Sequence, residues 1–106
     1  MSDRTDETWR EWTIFSHHGH VLFYVAANPE ATIRAISDAL GITERHVARI
    51  LKHLETAGMV QVERSGRRNC YTVNPAARLR HPTLAHITLD RIVQAVTSAP
   101  APQKRA

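Results

Sequence analysis

The chain has 106 residues and a formal net charge of +4, with 14 lysines and arginines against 10 aspartates and glutamates. This length predicts a single domain. The single cysteine excludes an intrachain disulfide and favours a reducing, cytoplasmic setting. No apolar run approaches the roughly 18 residues of a membrane span, and the N-terminus is too polar for a signal peptide.

The positive charge is concentrated in the middle of the chain. Residues 31–80 contain nine basic and four acidic side chains, whereas residues 1–12 contain two basic and four acidic ones. A basic central region favours a polyanionic partner such as nucleic acid. We predict a flexible acidic segment over residues 1–12, a folded domain over residues 13–98, and a disordered tail over residues 99–106.

Two short helices are predicted first. Residues 17–27 carry one apolar stripe and end before Pro29, because the residue that precedes a proline is disfavoured in the helical conformation. Residues 32–40 carry a second stripe and are followed by Gly41, which suits a left-handed helix end. Only two residues separate this helix from the next one, so the two helices must cross at a large angle.

The third predicted helix, over residues 43–57, is the most informative element. Thr43 is placed to cap its N-terminus and Gly58 to end it. Its apolar residues follow the i, i+3, i+4, i+7 spacing of one buried stripe, and the opposite face is mostly basic. Such a helix suits a DNA major groove in size and charge. A solvated amphipathic helix is the alternative.

After Gly58 the hydrophobic period changes from 3.6 to 2. Residues 60–65 and 69–73 alternate as strands, and the loop Gly66-Arg67-Arg68 joins them, which predicts a β-hairpin with arginines at its tip. Cys70 is expected to point away from the apolar face of the hairpin, and a redox role for it is a minor alternative.

Two apolar elements remain, a final helix over residues 88–98 and an aromatic segment near the N-terminus. The first three helices and the hairpin can enclose a core without them. A monomer could fold both elements back onto itself, but a two-fold dimer offers a larger DNA footprint. We therefore predict a homodimer whose interface contains Trp9, Trp12, Phe15, Leu89, Ile92, Val93 and Val96.

The order of helix, helix, turn, helix, hairpin and terminal helix resembles the winged helix-turn-helix regulators of bacteria and archaea, of the MarR or ArsR type. The likeness covers about residues 17–75 and rests on Ile36-Ser37, Gly41-Ile42, Val47, Ile50 and the run LKHLETAGMVQVERSGRRNCYTVNP. Ser37 stands where alanine is commoner. The fold class implied is mainly α with a small β-hairpin (α+β), a winged helix-turn-helix.

In proteins of this kind, the second helix of the motif enters the major groove, and the wing reaches the flanking minor groove or backbone. The resemblance implies DNA contacts from Thr32, Arg34, Thr43, Glu44, Arg45, His46, Arg49, Lys52, Arg67 and Arg68. Arginine in the helix can bind guanine bidentately, whereas Lys52 suits phosphate. Glu44 either favours the helix dipole or accepts from cytosine. For each basic residue, a solvated surface charge is the alternative.

We predict a cytoplasmic, homodimeric repressor or regulator that binds double-stranded DNA, with no cofactor and no membrane partner. One alternative is a winged helix that binds another protein. Another is a metal-sensing repressor that uses His17, His18, His20, His81 and His86, although the cysteine pattern of ArsR-type sensors is absent. An enzyme is not expected, since the sequence contains no nucleophile elbow and no carboxylate pair in a likely cleft.

Overall fold

The computed structural model describes residues 8–98, so most of the predicted acidic segment and the predicted tail over residues 99–106 lie outside the described residues. The helices are α1 (His17–Ala27), α2 (Ile33–Leu40), α3 (Glu44–Thr56) and α4 (Leu89–Thr97), and the strands are β1 (Val60–Ser65) and β2 (Arg68–Val73). Short 3-10 turns, not predicted from the sequence, occupy Thr8–Arg10 and Pro82–Leu84. This order confirms the winged helix-turn-helix.

Both helices of the helix-turn-helix begin at a threonine cap. The hydroxyl of Thr32 accepts from the backbone N–H of Ala35, and the hydroxyl of Thr43 accepts from that of His46, each at 3.0 Å. Each bond satisfies one of the backbone donors that the first helical turn leaves unpaired. The two threonines therefore stand just outside the helices, and α2 starts one residue later than the pattern predicts.

The turn between α2 and α3 depends on two small residues. Gly41 has a φ of 70°, in the left-handed region that side chains with a Cβ rarely adopt. The Ser37 hydroxyl donates to the carbonyl of Ile42 at 2.5 Å and so ties the turn back to α2. The serine that departs from the commoner alanine therefore has a structural role here.

The end of α3 directs the chain into the hairpin. Gly58 has a φ of 75°, and its N–H donates to the carbonyl of Glu55, while the N–H of Met59 donates to that of Leu54, both at 3.0 Å. This pair of bonds is the Schellman motif. It satisfies carbonyls at the helix end and brings β1 directly against α3.

The hairpin is antiparallel, with Val62 opposite Tyr71 and Ser65 opposite Arg68. Its loop is therefore only Gly66-Arg67, so Arg68 belongs to the strand and not to the tip. Gly66 has a φ of 61° and Arg67 does not have a positive φ, as in a type II′ turn. This turn matches the right-handed twist of the strands, which explains why the loop is shorter than predicted.

A single core lies where the three first helices meet the hairpin and the start of α4. Most of its members come from the predicted apolar stripes and strand faces, although Met59 does not, and the completely buried ones are Val21, Val25, Ile36, Val47 and Ile50. Leu89 also belongs to this core, with 1% of its surface exposed. Its backbone N–H donates to the Ala77 carbonyl at 2.7 Å, which holds the start of α4 against the body. The dimer interface expected from the sequence therefore cannot include Leu89.

Val47→Asp should destabilise the fold by on the order of 3–5 kcal/mol, because it places an uncompensated charge at a completely buried site. The neighbouring exposed site provides the control, and Ala48→Asp should change the stability by less than about 1 kcal/mol. Urea denaturation followed by circular dichroism measures both. Equal stabilities of the two variants would show that α3 packs through a different face.

Candidate nucleic-acid interface

The outward face of α3 is a stripe of cations. Arg45, Arg49 and Lys52 are exposed and follow the i, i+4, i+7 spacing, opposite the buried Val47 and Leu54. Thr56 lies one turn beyond Lys52 on the same stripe. Its spacing of four residues from Lys52 indicates this position, but Thr56 is not among the DNA contacts predicted from the sequence. Within residues 8–98, none of the three cations forms an ion pair. The stripe is therefore open to an anionic partner.

The two edges of α3 are occupied by contacts within the chain. On one edge, Glu55 lies 3.8 Å from Arg64 of the hairpin. On the other edge, the rings of His46 and His17 meet edge to face at 5.2 Å, and His53 contacts His18 of α1. These contacts lie at the two edges of α3, and the basic stripe between them is the exposed part of the helix.

His46 differs from the arginines beside it. Partial removal of its imidazole from water lowers its pKa, and the positive charges of Arg49 and His17 lower it further. Since this pKa lies below the ordinary value of 6.5, the neutral form of His46 predominates at pH 7. It is therefore suited to a hydrogen bond with a base or a backbone group and not to balancing a phosphate charge.

The polar residues at the helix N-termini have structural roles that do not exclude a ligand contact. Thr32 and Thr43 accept cap bonds, but a hydroxyl that accepts can still donate its own hydrogen. Arg34 is exposed in the first turn of α2. Glu44 is exposed at the first position of α3, where its charge favours the positive end of the helix dipole.

The two wing arginines are in different environments. Arg67 is exposed in the two-residue loop. Arg68 lies 3.5 Å from Glu30, with 77% and 69% of the two side chains exposed. An ion pair this exposed is worth at most about 1 kcal/mol, so a phosphate could replace the carboxylate. Glu30 lies in the loop before α2, where no sequence pattern signals this contact.

The histidines do not form the group that a metal-sensing alternative requires. Their neighbours are separate: His17 packs on His46, His18 on His53, and His20 on Thr13. His81 caps the second 3-10 turn. In the part of the chain that the structure describes, no three histidine, cysteine or acidic side chains are arranged to hold a metal ion.

Large apolar side chains are exposed near both ends of the described chain. Trp12 is 74% exposed, Ile14 is 84% exposed, and Val96 in α4 is 45% exposed. Two further exposed apolar residues, Phe15 and Leu84, line an open, mostly apolar cleft of about 550 Å³, together with side chains that include Leu22, Leu54, Met59 and Ile92. Exposed apolar groups of this size, close to an apolar cleft, are typical of an interaction surface.

The sequence matches a family model described as the MarR family over residues 16–68. The match spans half of the chain and includes α1, both helices of the helix-turn-helix and the hairpin as far as Arg68. The chain belongs to the MarR family. Of the two types that the sequence resembles, MarR is therefore the one whose family model matches.

This MarR-family chain is also similar to a solved structure, that of MepR, a transcription regulator of the Staphylococcus aureus multidrug efflux pump MepA. The two are 23% identical, with a TM-score of 0.52, and the match covers 88% of this chain but only 62% of MepR. This likeness shows the fold. No curated protein matches the sequence. Among residues 8–98, no helix has the length and apolar character needed to cross a membrane.

Proposed function

We propose that this MarR-family protein is a transcriptional regulator that binds double-stranded DNA with α3 in the major groove. The observation that carries the proposal is the exposed stripe of Arg45, Arg49 and Lys52, whose cations form no ion pair within the described chain. A groove about 12 Å wide admits one helix, and α3 presents its cations on the face opposite the core.

The residues of α3 divide by chemistry. Arg45 and Arg49 lie in the first two turns, where a guanidinium can bind O6 and N7 of guanine bidentately. Lys52 lies farther along the helix and suits a phosphate. The neutral His46 suits a hydrogen bond to a base, and Glu44 can accept from the amino group of cytosine.

The remaining contacts that we propose fix the position of α3 on the duplex. Thr32 and Arg34 begin α2, and helix N-termini bind phosphates through their free backbone donors. Arg67 and Arg68 extend from the wing towards the flanking minor groove or backbone, where the negative potential is highest if the groove is narrow. MepR is described as a transcription regulator, which supports the same class of function here. We propose repression in the cytoplasm, since binding alone is enough to block a promoter.

The exposed apolar residues support a homodimer. Three large apolar side chains are exposed to solvent in the single chain: Trp12, Ile14 and Val96. The half-buried Ile92 and Val93 can contribute their exposed sides to the same interface. We propose an interface that also includes Trp9 and Phe15. A two-fold axis through it would place two copies of α3 on half-sites about one helical turn apart.

Arg49→Ala should weaken binding to a specific site by about 1–3 kcal/mol, because it removes a bidentate base contact. The melting temperature should change little, since Arg49 lies outside the core. A gel-shift assay on the DNA upstream of the protein's own gene measures the affinity, and Arg91→Ala, an exposed arginine of α4, is the control. Equal affinities of the two variants would contradict the role of Arg49.

The double variant Arg67→Ala, Arg68→Ala should lose affinity more evenly across duplex sequences than Arg49→Ala does, because contacts to the backbone or to the minor groove carry less sequence information than contacts in the major groove. The slope of log K against log salt should fall by about one for each phosphate contact removed. Glu30→Gln provides an opposite test: it frees Arg68 from its carboxylate partner and should strengthen binding. A salt slope that is the same in wild type and double variant would show that the wing does not touch DNA, and a wild type without salt dependence would favour a protein partner.

The intact protein should sediment as a dimer at micromolar concentration. Trp12→Glu combined with Val96→Glu should produce monomers, because two charges would be buried at the interface. Gln61→Glu, on the exposed face of β1, is the control and should remain dimeric. A monomeric wild-type protein would refute the proposed dimer, whereas a dimeric double variant would move its interface elsewhere.

A further inference from the structure

Two histidines that are 35 positions apart in the sequence connect the first turn of α1 to the C-terminal half of α3. Nε2 of His18 lies 3.0 Å from Nδ1 of His53, the ring planes differ by 2°, and the ring centroids are 5.3 Å apart. The distance between the ring centres equals the N···N distance plus the distance from each nitrogen to the centre of its own ring. That is the largest centroid separation that this N···N distance allows. Both nitrogens therefore lie close to the line between the centroids, and the rings are coplanar and edge to edge.

This geometry has room for a single shared proton. An N–H of one ring points at the lone pair of the other, along the nearly straight line that a hydrogen bond prefers. A hydrogen on each of the two nitrogens would place two N–H groups head to head. A metal ion is also excluded from this position, because ligand bonds of about 2.0–2.1 Å do not fit between nitrogens that face each other across 3.0 Å.

The charged groups that act on His18 oppose its protonation. His18 is acted on by His53, His46 and Arg49 of α3 and by His17 of α1. Arg80, which precedes the second 3-10 turn, lines the same cleft as both rings. Partial removal of the imidazole from water lowers the pKa of His18 below its ordinary 6.5, and its positive neighbours lower it further.

We propose that the His18–His53 pair is a proton-operated clamp between α1 and α3. The clamp is closed when the pair carries no extra proton or one, because one N–H then lies between two nitrogens. It opens when the second proton binds, because both nitrogens then carry hydrogens and both rings carry positive charge. Opening separates the first turn of α1, and the aromatic segment before it, from the helix that bears the basic stripe.

The clamp predicts the direction in which stability depends on pH. Because the pKa of His18 is lowered in the folded chain, the unfolded chain binds more protons below pH 6.5. The contribution to stability is therefore complete above pH 6.5 and decreases as the pH falls towards the lowered pKa. For each proton that the unfolded chain binds and the folded chain does not, the unfolding equilibrium constant rises by up to about tenfold for each unit by which the pH falls.

The test uses the full chain without DNA. Urea unfolding is measured at about pH 7.5 and 5.5 for the wild type and for the double variant His18→Gln, His53→Asn. The amide groups of this variant reach the positions of Nε2 and Nδ1, so they keep a hydrogen bond but do not titrate. The unfolding constant of the wild type should rise by at least about threefold more than that of the double variant. His86→Gln, at an exposed site outside the pair, should retain the wild-type dependence.

Equal pH dependence in the wild type and the double variant would overturn the clamp. A second measurement on the wild type does not require any variant to fold: NMR titration of the His18 imidazole signals should show a pKa below the ordinary 6.5. A His18 pKa at or above 6.5 would also overturn the clamp. Since neither measurement contains DNA, the clamp and the proposed DNA binding can fail separately.

Discussion

The structure depends on the burial of one side of α3 against the rest of the domain. Val47 and Ile50 are completely buried, and Leu51 and Leu54 nearly so, between α1, α2 and the hairpin. Because a helix is a rigid cylinder with a period of 3.6 residues, fixing this stripe also fixes the direction of the opposite one. The cations of α3 therefore project outward because the apolar side of the helix is buried. No contact made by the cations themselves is required to orient them.

Charge is distributed around this core in a way that leaves the outer face of α3 unneutralised. The two described ion pairs involve Arg64 and Arg68 of the wing, whose side chains are 63% and 77% exposed. Exposed pairs contribute little to stability, because water screens them and ordering long side chains costs entropy. Glu30 can be regarded as an internal competitor for any phosphate that Arg68 would bind, since both anions need the same guanidinium.

The contact between α1 and α3 has an apolar part and a polar part. Val21 and Val25 of α1 belong to the same core as Val47 and Ile50, and the histidine pairs lie at the exposed edge of this contact. The apolar part does not change with pH, whereas the imidazoles do. A change in protonation would therefore alter how the start of α1 is held on α3 while the core remains packed, which is why the clamp can act locally.

The sequence by itself determined the local elements, because their causes are local. The apolar periods, the threonine caps and the glycines with left-handed φ all act within a few residues, and helix-turn-helix and hairpin follow from them. Only the tertiary structure placed Leu89 in the core, brought Glu30 to Arg68 and set His18 against His53. These contacts join segments that are distant in the chain, and they depend on the angles at which whole helices and the hairpin pack, which no short sequence pattern encodes.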